Sequence, residues 1–201
     1  PSYLGVKIRL SYCAESSEDV QNRLTEAECM VMASVGKWVY GNDDETLEGK
    51  LGELLKEKGR TLAIAESCTG GLIGHRLTQE PGSSDYFLGG VVAYSNEAKV
   101  SRLQVSSTLI EKYGAVSKEV AIAMAEGIRQ TSDSDIGLSV TGVAGPGASN
   151  NKPMGTVFIG ISDENKSDCK SFHFYNDRSR NKERSAQAAL ELLRQWLLNL
   201  T

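Results

Sequence analysis

The sequence predicts an α/β fold: a three-layer α/β/α sandwich with a largely parallel sheet, preceded by a small truncated β-α-β piece. Three observations lead to this class. From residue 61 onward, short apolar runs alternate with segments of helical periodicity. Apolar residues make up 40% and charged residues 24% of the 201 residues, which is enough for a packed core. Two of the apolar runs end in glycine-rich turns, as strands of ligand-binding sheets do.

The first 42 residues predict the small β-α-β piece. Residues 4–12 alternate between apolar and polar side chains, which indicates a strand. Ser16 stands three residues before Asp19, the spacing of a helix N-cap, and apolar residues follow at helical spacing. Residues 38–40 indicate a second short strand. Because such a piece is too small to be stable alone, we expect residues 1–42 to be the remainder of a preceding domain and residues 43–201 to form the main domain.

The main domain begins with a helix that we expect Asp44 to cap and Gly59 to end. Beyond it, strand and helix patterns alternate to the C-terminus. Strands are predicted at residues 61–65, 87–94, 135–140, 155–161 and 171–175. Helices are predicted at residues 71–78, after Ser95, from Ser117 to Arg129, and from Arg180 to Leu198.

Composition excludes several classes of function. The formal net charge is −4 and there is no run of Lys and Arg, so binding to nucleic acid or an anionic membrane is not expected. No apolar run approaches the roughly 20 residues of a membrane span, and the start does not have the pattern of a signal peptide. The four cysteines form no Cys-x-x-Cys pair, and there are only two histidines. We therefore expect free thiols, no metal site and a cytoplasmic location.

Two glycine-rich turns mark the candidate site. The first is Glu66-Ser-Cys-Thr-Gly-Gly71, after the strand at 61–65, and the second is Thr141-Gly-Val-Ala-Gly-Pro-Gly147, after the strand at 135–140. Ligands of open α/β sheets bind beyond the carboxyl ends of strands, and such turns present backbone N–H groups to anions. Neither turn fits the P-loop, the Gly-x-Gly-x-x-Gly fingerprint or the Gly-x-Ser-x-Gly elbow.

Ser67 is the first candidate nucleophile, because it lies between a strand and a helix where its hydroxyl can be exposed. A serine needs an adjacent base. His75 lies two helical turns away and His173 alternates with two phenylalanines, so a structural role is favoured for both. Lys99 follows a neighbouring strand and would act as a base only if burial lowered its pKa. Cys68 is the rival nucleophile, although no histidine stands beside it to favour a thiolate.

Three arginines cluster where the last strand meets the last helix: Arg178, Arg180 and Arg184. Cations are unfavourable at a helix N-terminus, so Arg178 is explained equally well by an anionic ligand or by a solvated helix face.

Together these motifs resemble the C-terminal domain of the CinA, or competence/damage-inducible, family. The resemblance covers residues 44–200 in unbroken order. It rests on the runs Thr61–Gly71, Pro81–Ser84, Val92–Lys99, Gly114–Ser117, Thr141–Gly147 and Lys152–Thr156. It also identifies residues 1–42 as similar to the tail of the family's middle domain.

The resemblance implies a nicotinamide-nucleotide amidase. Nicotinamide mononucleotide would be hydrolysed to nicotinic acid mononucleotide and ammonia, without a metal or other cofactor. The family's catalytic serine, lysine and tyrosine match Ser67, Lys99 and Tyr94, and its phosphate-binding arginine matches Arg178. Further oxyanion- and substrate-binding positions are expected at Thr69, Gly70, Gly71, Thr141, Gly142 and Gly145. The implied mechanism is a Ser-Lys acyl-enzyme in which Tyr94 relays a proton and helps to hold Lys99.

Two positions depart from the family's pattern, because glycine is usual where Ala148 and Asn176 stand. Some relatives of the family lack amidase activity. A second interpretation therefore stays open: a non-catalytic nucleotide-binding or adaptor module in a competence or DNA-damage response. The expected partners are a small-molecule nucleotide and a second copy of the chain in a homodimer, with neither membrane nor direct nucleic-acid binding.

Overall fold

The computed structural model describes residues 5–145, 152–175 and 177–200. The described residues form five strands and seven α-helices. The strands are β1 Leu62–Glu66, β2 Phe87–Val92, β3 Ile136–Gly142, β4 Thr156–Ser162 and β5 Ser167–His173. The helices are α1 Ser17–Val35, α2 Leu47–Glu57, α3 Leu72–Thr78, α4 Asn96–Leu103, α5 Ser107–Tyr113, α6 Lys118–Thr131 and α7 Arg178–Leu198.

The five strands form one mixed sheet in the order β2-β1-β3-β4-β5. Strand β1 pairs in parallel with both β2 and β3, whereas β4 is antiparallel to both of its neighbours. Four of the five strands therefore run in the same direction, and the predicted α/β class is confirmed. Because β1 lies between two parallel strands, the carboxyl ends of β2, β1 and β3 meet at one edge of the sheet.

Helices cover both faces of the sheet, which gives the three layers. Helices α2, α3 and α7 pack on one face and α4, α5 and α6 on the other. Strand β1 contributes to both cores, because Leu62 and Ile64 face the first set of helices and Ala63 and Ala65 face the second. A strand that is buried on both faces is a continuous apolar run in the sequence, as residues 62–65 are.

Only part of the predicted N-terminal piece forms. Helix α1 is confirmed, with the Ser16 side chain accepting a hydrogen bond from the Asp19 amide. The two flanking strands were predicted wrongly: residues 6–14 have no regular structure, and residues 36–38 form one turn of 3-10 helix. A strand needs a neighbour for its backbone hydrogen bonds, and alternation in the sequence does not provide one. Val6 and Ile8 are accordingly 71% and 56% exposed.

Two further details differ from the predictions. The N-cap of α2 is Thr46, whose hydroxyl accepts a hydrogen bond from the Gly49 amide, and not Asp44. Helix α5, Ser107–Tyr113, was not predicted. Within the described part of the chain, no helix is both long and apolar enough to cross a bilayer.

Candidate active site

Ser67 lies directly after β1, at the sheet edge where the three parallel strands end. Its amide donates to the carbonyl of Val140 on β3, at 2.9 Å, and this bond fixes the point at which the chain leaves the sheet. Residues 67–71, named here the Ser67 turn, then lead into α3. Ser67 is 8% exposed, so its hydroxyl lies at the wall of the site and not on the outer surface.

Lys99 reaches Ser67 from the neighbouring strand end, as the sequence predicted. Strand β2 ends at Val92, and Ser95 caps α4 by accepting a hydrogen bond from the Ala98 amide, which places Lys99 in the first turn of α4. The Nζ atom of Lys99 lies 3.2 Å from Oγ of Ser67 and donates to the carbonyl of Ala93 at 2.8 Å. A nucleophile and a strong base are therefore within hydrogen-bond distance.

Burial has opposite chemical consequences for Lys99 and Cys68. Lys99 is only 2% exposed, and this desolvation lowers its pKa from the ordinary value of 10.5. A lowered pKa increases the fraction of neutral amine at a given pH, and the neutral amine can act as a base. Burial raises the pKa of Cys68 to about 12, so its thiol stays protonated at neutral pH. Between the two candidate nucleophiles, the electrostatics favour Ser67.

The side chain of Glu66 accepts hydrogen bonds from most of the backbone amides at the start of α3. Its carboxyl oxygens accept hydrogen bonds from the amides of Gly71, Ile73 and Gly74. The amide of Gly70 donates back to the carbonyl of Ser67. Of the amides that were predicted to stabilise an oxyanion, those of Gly70 and Gly71 are therefore already used within the turn.

A cavity of about 200 Å³ opens beside Ser67 and Lys99. It is lined by Ser67, Cys68, Tyr94, Lys99, Ala115, Val116, Thr141, Gly142, Val143, Ala144, Gly145 and Arg178. The structure thus brings seven of the ten predicted site residues to one cavity. The other three, Thr69, Gly70 and Gly71, are not in its wall, because the Ser67 turn moves away from the cavity after Cys68 to begin α3.

The far side of the cavity is formed by residues 142–145, named here the Gly145 turn, and by Arg178. Arg178 is the first residue of α7, and it donates to the hydroxyl of Tyr94 across the cavity mouth. Tyr94 was expected to help hold Lys99, but the polar contacts of Lys99 are to Ser67 and Ala93. Tyr94 is 61% exposed, and its side chain extends outward beyond the strand end, where its hydroxyl contacts Arg178 and not Lys99.

Of the three arginines near the start of α7, Arg178 alone lines the cavity. Arg180 forms an ion pair with Asp177, and the guanidinium of Arg184 lies 5.6 Å from the ring centre of Phe174.

The two histidines lie outside the cavity, as the sequence predicted. His75 is exposed on α3. The ring of His173 stacks edge-on against Tyr175, and its Nδ1 lies 3.3 Å from the hydroxyl of Thr156.

The sequence interpretation missed two contributions to the site. Ala115 and Val116 form an apolar part of the wall, and Thr141 fixes this loop by donating its hydroxyl hydrogen to the carbonyl of Ala115 at 2.9 Å. Glu66 begins the first glycine-rich motif, but the sequence predicts no role for it. Its one sequence signal is an acidic residue at the end of an apolar strand. Ala148 and Asn176, the two departures from the family pattern, lie outside the described residues.

The model of the CinA C-terminal domain family matches residues 44–197. The chain belongs to this family. Two curated relatives described as CinA-like proteins are each 46% identical to it. The one from Salinibacter ruber aligns over 98% of this chain and 48% of its own length, and the one from Desulfotalea psychrophila over 92% and 45%. The chain therefore spans about half the length of the curated relatives it matches.

Solved structures carry the same fold. The crystal structure of a CinA superfamily protein from Klebsiella pneumoniae superimposes with a TM-score of 0.75 at 28% identity, covering 77% of this chain and 97% of that one. The high coverage of the solved chain shows that the CinA domain of the present protein contains nearly all of that fold.

Proposed function

We propose that this CinA domain is a nicotinamide-nucleotide amidase, which hydrolyses the carboxamide of nicotinamide mononucleotide to nicotinic acid mononucleotide and ammonia. The observation that carries the proposal is the buried pair of Lys99 and Ser67, with 3.2 Å between Nζ and Oγ. Nucleophilic catalysis needs this arrangement, a hydroxyl beside a base whose pKa is lowered, and a module that only binds a nucleotide does not need it.

In the proposed acylation step, neutral Lys99 accepts the hydroxyl proton of Ser67 while Oγ bonds to the carboxamide carbon. The carbonyl oxygen becomes an oxyanion. The amide of Cys68 follows the nucleophile directly, as a donor to an oxyanion commonly does, and Cys68 lines the cavity, so we assign the oxyanion to this amide. Protonated Lys99 then gives its proton to the amide nitrogen, and ammonia leaves as the C–N bond breaks.

Deacylation uses Lys99 in the same order, first as a base and then as an acid. Water attacks the acyl carbon of the ester on Ser67, and Lys99 accepts a proton from the water. The Oγ–carbon bond then breaks and the proton returns to Ser67, which releases the carboxylic acid product. Lys99 serves as base and then as acid in each half-reaction, and the lowering of its pKa favours both transfers, because general acid–base catalysis is most efficient when the pKa lies near the operating pH.

The Gly145 turn and Arg178 are proposed to hold the phosphate of the substrate. Arg178 offers a charged, forked donor at the cavity mouth, and the amides of Ala144 and Gly145 have no partner within the described part of the chain. Tyr94 would hold Arg178 in place through the hydrogen bond between them. The pyridine ring would then lie against the apolar wall, with its carboxamide at Ser67.

The proposal is tested by measuring ammonia release from nicotinamide mononucleotide by the chain and by its Ser67→Ala variant. We expect release by the parent and a loss of roughly 10³-fold or more in kcat for the variant, because the nucleophile is removed. Cys68→Ala is the matched control, and it should retain activity because its buried thiol stays protonated.

Other outcomes are equally informative. Full activity in Ser67→Ala together with loss in Cys68→Ala would keep the amidase but move the nucleophile to Cys68. Tight binding of the nucleotide without any release would favour the alternative, a nucleotide-binding or adaptor module.

A further inference from the structure

The carboxyl group of Glu66 is buried and fully engaged at the start of α3. Glu66 is the last residue of β1 and is 2% exposed. Its Oε2 accepts hydrogen bonds from the amides of Gly71 at 2.9 Å and Ile73 at 3.2 Å, and its Oε1 accepts one from Gly74 at 2.9 Å. The first amides of a helix have no partner inside the helix, so Glu66 satisfies three that would otherwise be unpaired.

These bonds hold the C-terminal end of the Ser67 turn, at Gly71. At the first end, the amide of Ser67 is bonded to the carbonyl of Val140 on β3. Within the turn, the amide of Gly70 is bonded to the carbonyl of Ser67. At the second end, Glu66 reaches forward over the turn to Gly71. The turn that carries the nucleophile is therefore attached to the sheet on one side and to the residue just before it on the other.

Glu66 also contributes to the position of Lys99. The backbone carbonyl of Glu66 accepts a hydrogen bond from the amide of Ala93, at 2.8 Å. The carbonyl of Ala93 in turn accepts the bond from Lys99 Nζ. The side chain of Glu66 therefore fixes the turn of the nucleophile, while its backbone fixes the residue to which the base is bonded.

We propose that Glu66 is a positioning residue, whose carboxyl group holds Oγ of Ser67 at reaction distance from Nζ of Lys99. The inference rests on the proposed function, because it assumes that this pair carries out the chemistry. It also implies that the N-terminal amides of α3 do not bind the substrate, because three of them already donate to Glu66.

A glutamine cannot replace the carboxyl group in this role, although it has the same shape. Both oxygens of Glu66 accept hydrogen bonds, two at Oε2 and one at Oε1. A glutamine side chain has one acceptor oxygen, and its NH₂ group would face at least one backbone N–H, donor against donor. Glu66→Gln is therefore expected to shift the turn without removing any volume from the core.

The test compares Glu66→Gln with Glu48→Gln, both assayed well below their melting temperatures with nicotinamide mononucleotide. Glu48 forms an ion pair with Arg76, in the last turn of α3, so its variant loosens the same helix at the end away from Ser67. We expect kcat of Glu66→Gln to fall roughly 10- to 100-fold with little change in KM, because displacing the nucleophile by about 1 Å has an effect of this size. Glu48→Gln should keep the parent kcat.

Equal kcat in Glu66→Gln and the parent would overturn the inference, as would an equal fall in both variants. If Glu66→Gln does not fold, Glu66→Asp takes its place, since its shorter side chain cannot reach all three amides. The same fall in kcat is then expected, and an unchanged kcat would again overturn the inference.

A second readout separates this inference from the proposed function. A fluorophosphonate reagent labels an activated serine without any substrate, and mass spectrometry locates the label. We expect labelling of Ser67 in the parent and labelling at least tenfold slower in Glu66→Gln. Labelling in the parent without ammonia release would end the amidase proposal and leave the role of Glu66 standing. If the parent is not labelled, Ser67 is not activated and the positioning role is wrong.

Discussion

The Ser67 turn and the Gly145 turn both contain glycine and both lie beside the cavity, yet the amides at their C-terminal ends are used differently. In the Ser67 turn, the amides of Ser67, Gly70 and Gly71 donate to other groups of the protein. In the Gly145 turn, the amides of Ala144 and Gly145 have no such partner among the described residues. The first turn is held at both ends by hydrogen bonds within the protein, and the second leaves the two amides at its C-terminal end available.

The difference follows from the residues next to each turn. An acidic side chain precedes the Ser67 turn and accepts a hydrogen bond from its last amide, that of Gly71, whereas the Gly145 turn faces the cationic Arg178. A rigid turn suits a nucleophile, because small displacements of the nucleophile lower the reaction rate. Free amides beside a guanidinium suit a bound anion. The glycines of a turn therefore do not determine its role; the charge of its neighbour does.

The largest effect on the Ser67 side is expected from Lys99→Met, which keeps an unbranched side chain but removes the amine. We expect kcat to fall about 10²- to 10⁴-fold, because the general base is lost. Ammonia release measures this directly. Retention of the parent kcat would show that another group accepts the Ser67 proton and would remove Lys99 from the proposed mechanism.

The same variant tests whether Lys99 has a lowered pKa. Between that lowered pKa and 10.5, the unfolded chain binds more protons than the folded chain, so the free energy of unfolding of the parent rises with pH through this window. Below the window the full cost of burying a charged amine is present. Lys99→Met should lack this rise when denaturant unfolding is compared across pH, and identical slopes in both proteins would contradict the lowered pKa.

On the Gly145 side, Arg178→Ala should raise KM for nicotinamide mononucleotide far more than it changes kcat. Losing one charged hydrogen bond is worth roughly 1.5–3 kcal/mol, or about 10- to 100-fold in affinity. Arg180→Ala is the matched control, because its ion pair with Asp177 lies away from the cavity. With nicotinamide riboside, which has no phosphate, Arg178→Ala and the parent should behave alike. An unchanged KM for the mononucleotide would remove the phosphate assignment.

The sequence predicts the main domain well because its elements depend on local patterns. The apolar run at residues 62–65 and the caps Ser95 and Ser117 give strands and helices at nearly the observed bounds. The N-terminal strands were predicted wrongly because a strand depends on a neighbour that an alternating pattern cannot supply. The antiparallel direction of β4 was likewise not predicted, since pairing direction is decided by the path of the chain between strands.

The candidate site likewise has features that local sequence patterns predict and features that depend on three-dimensional packing. Ser67 and Lys99 could be paired from the sequence because parallel strands end at one edge of the sheet. The contacts of Glu66 and Tyr94 could not, because a side chain's partner depends on packing in three dimensions. The side chain of Glu66 reaches forward to α3 and that of Tyr94 reaches outward to Arg178, although both residues lie near strand ends beside the cavity.

The smallest expected effects come from one pair of glycine substitutions, which compares the two turns directly. A Cβ atom at Gly145 would lie 3.0 Å from Cβ and 3.1 Å from Nη1 of Arg178, so Gly145→Ala must displace the guanidinium. Gly70 has φ +63° and no atom nearer than Lys182 Nζ at 3.6 Å to the added Cβ, so Gly70→Ala introduces backbone strain without a clash.

We expect Gly145→Ala to raise KM about fivefold, equivalent to roughly 1 kcal/mol of binding free energy, because Arg178 is displaced, while the free energy of unfolding changes little. We expect Gly70→Ala to lower the free energy of unfolding by about 1 kcal/mol and leave KM unchanged, because the strained left-handed residue is outside the cavity wall. Steady-state kinetics and denaturant unfolding on both variants measure the two effects. If Gly70→Ala raised KM and Gly145→Ala did not, the phosphate would bind at the Ser67 turn. Glu66 would then have to release the α3 amides when substrate enters.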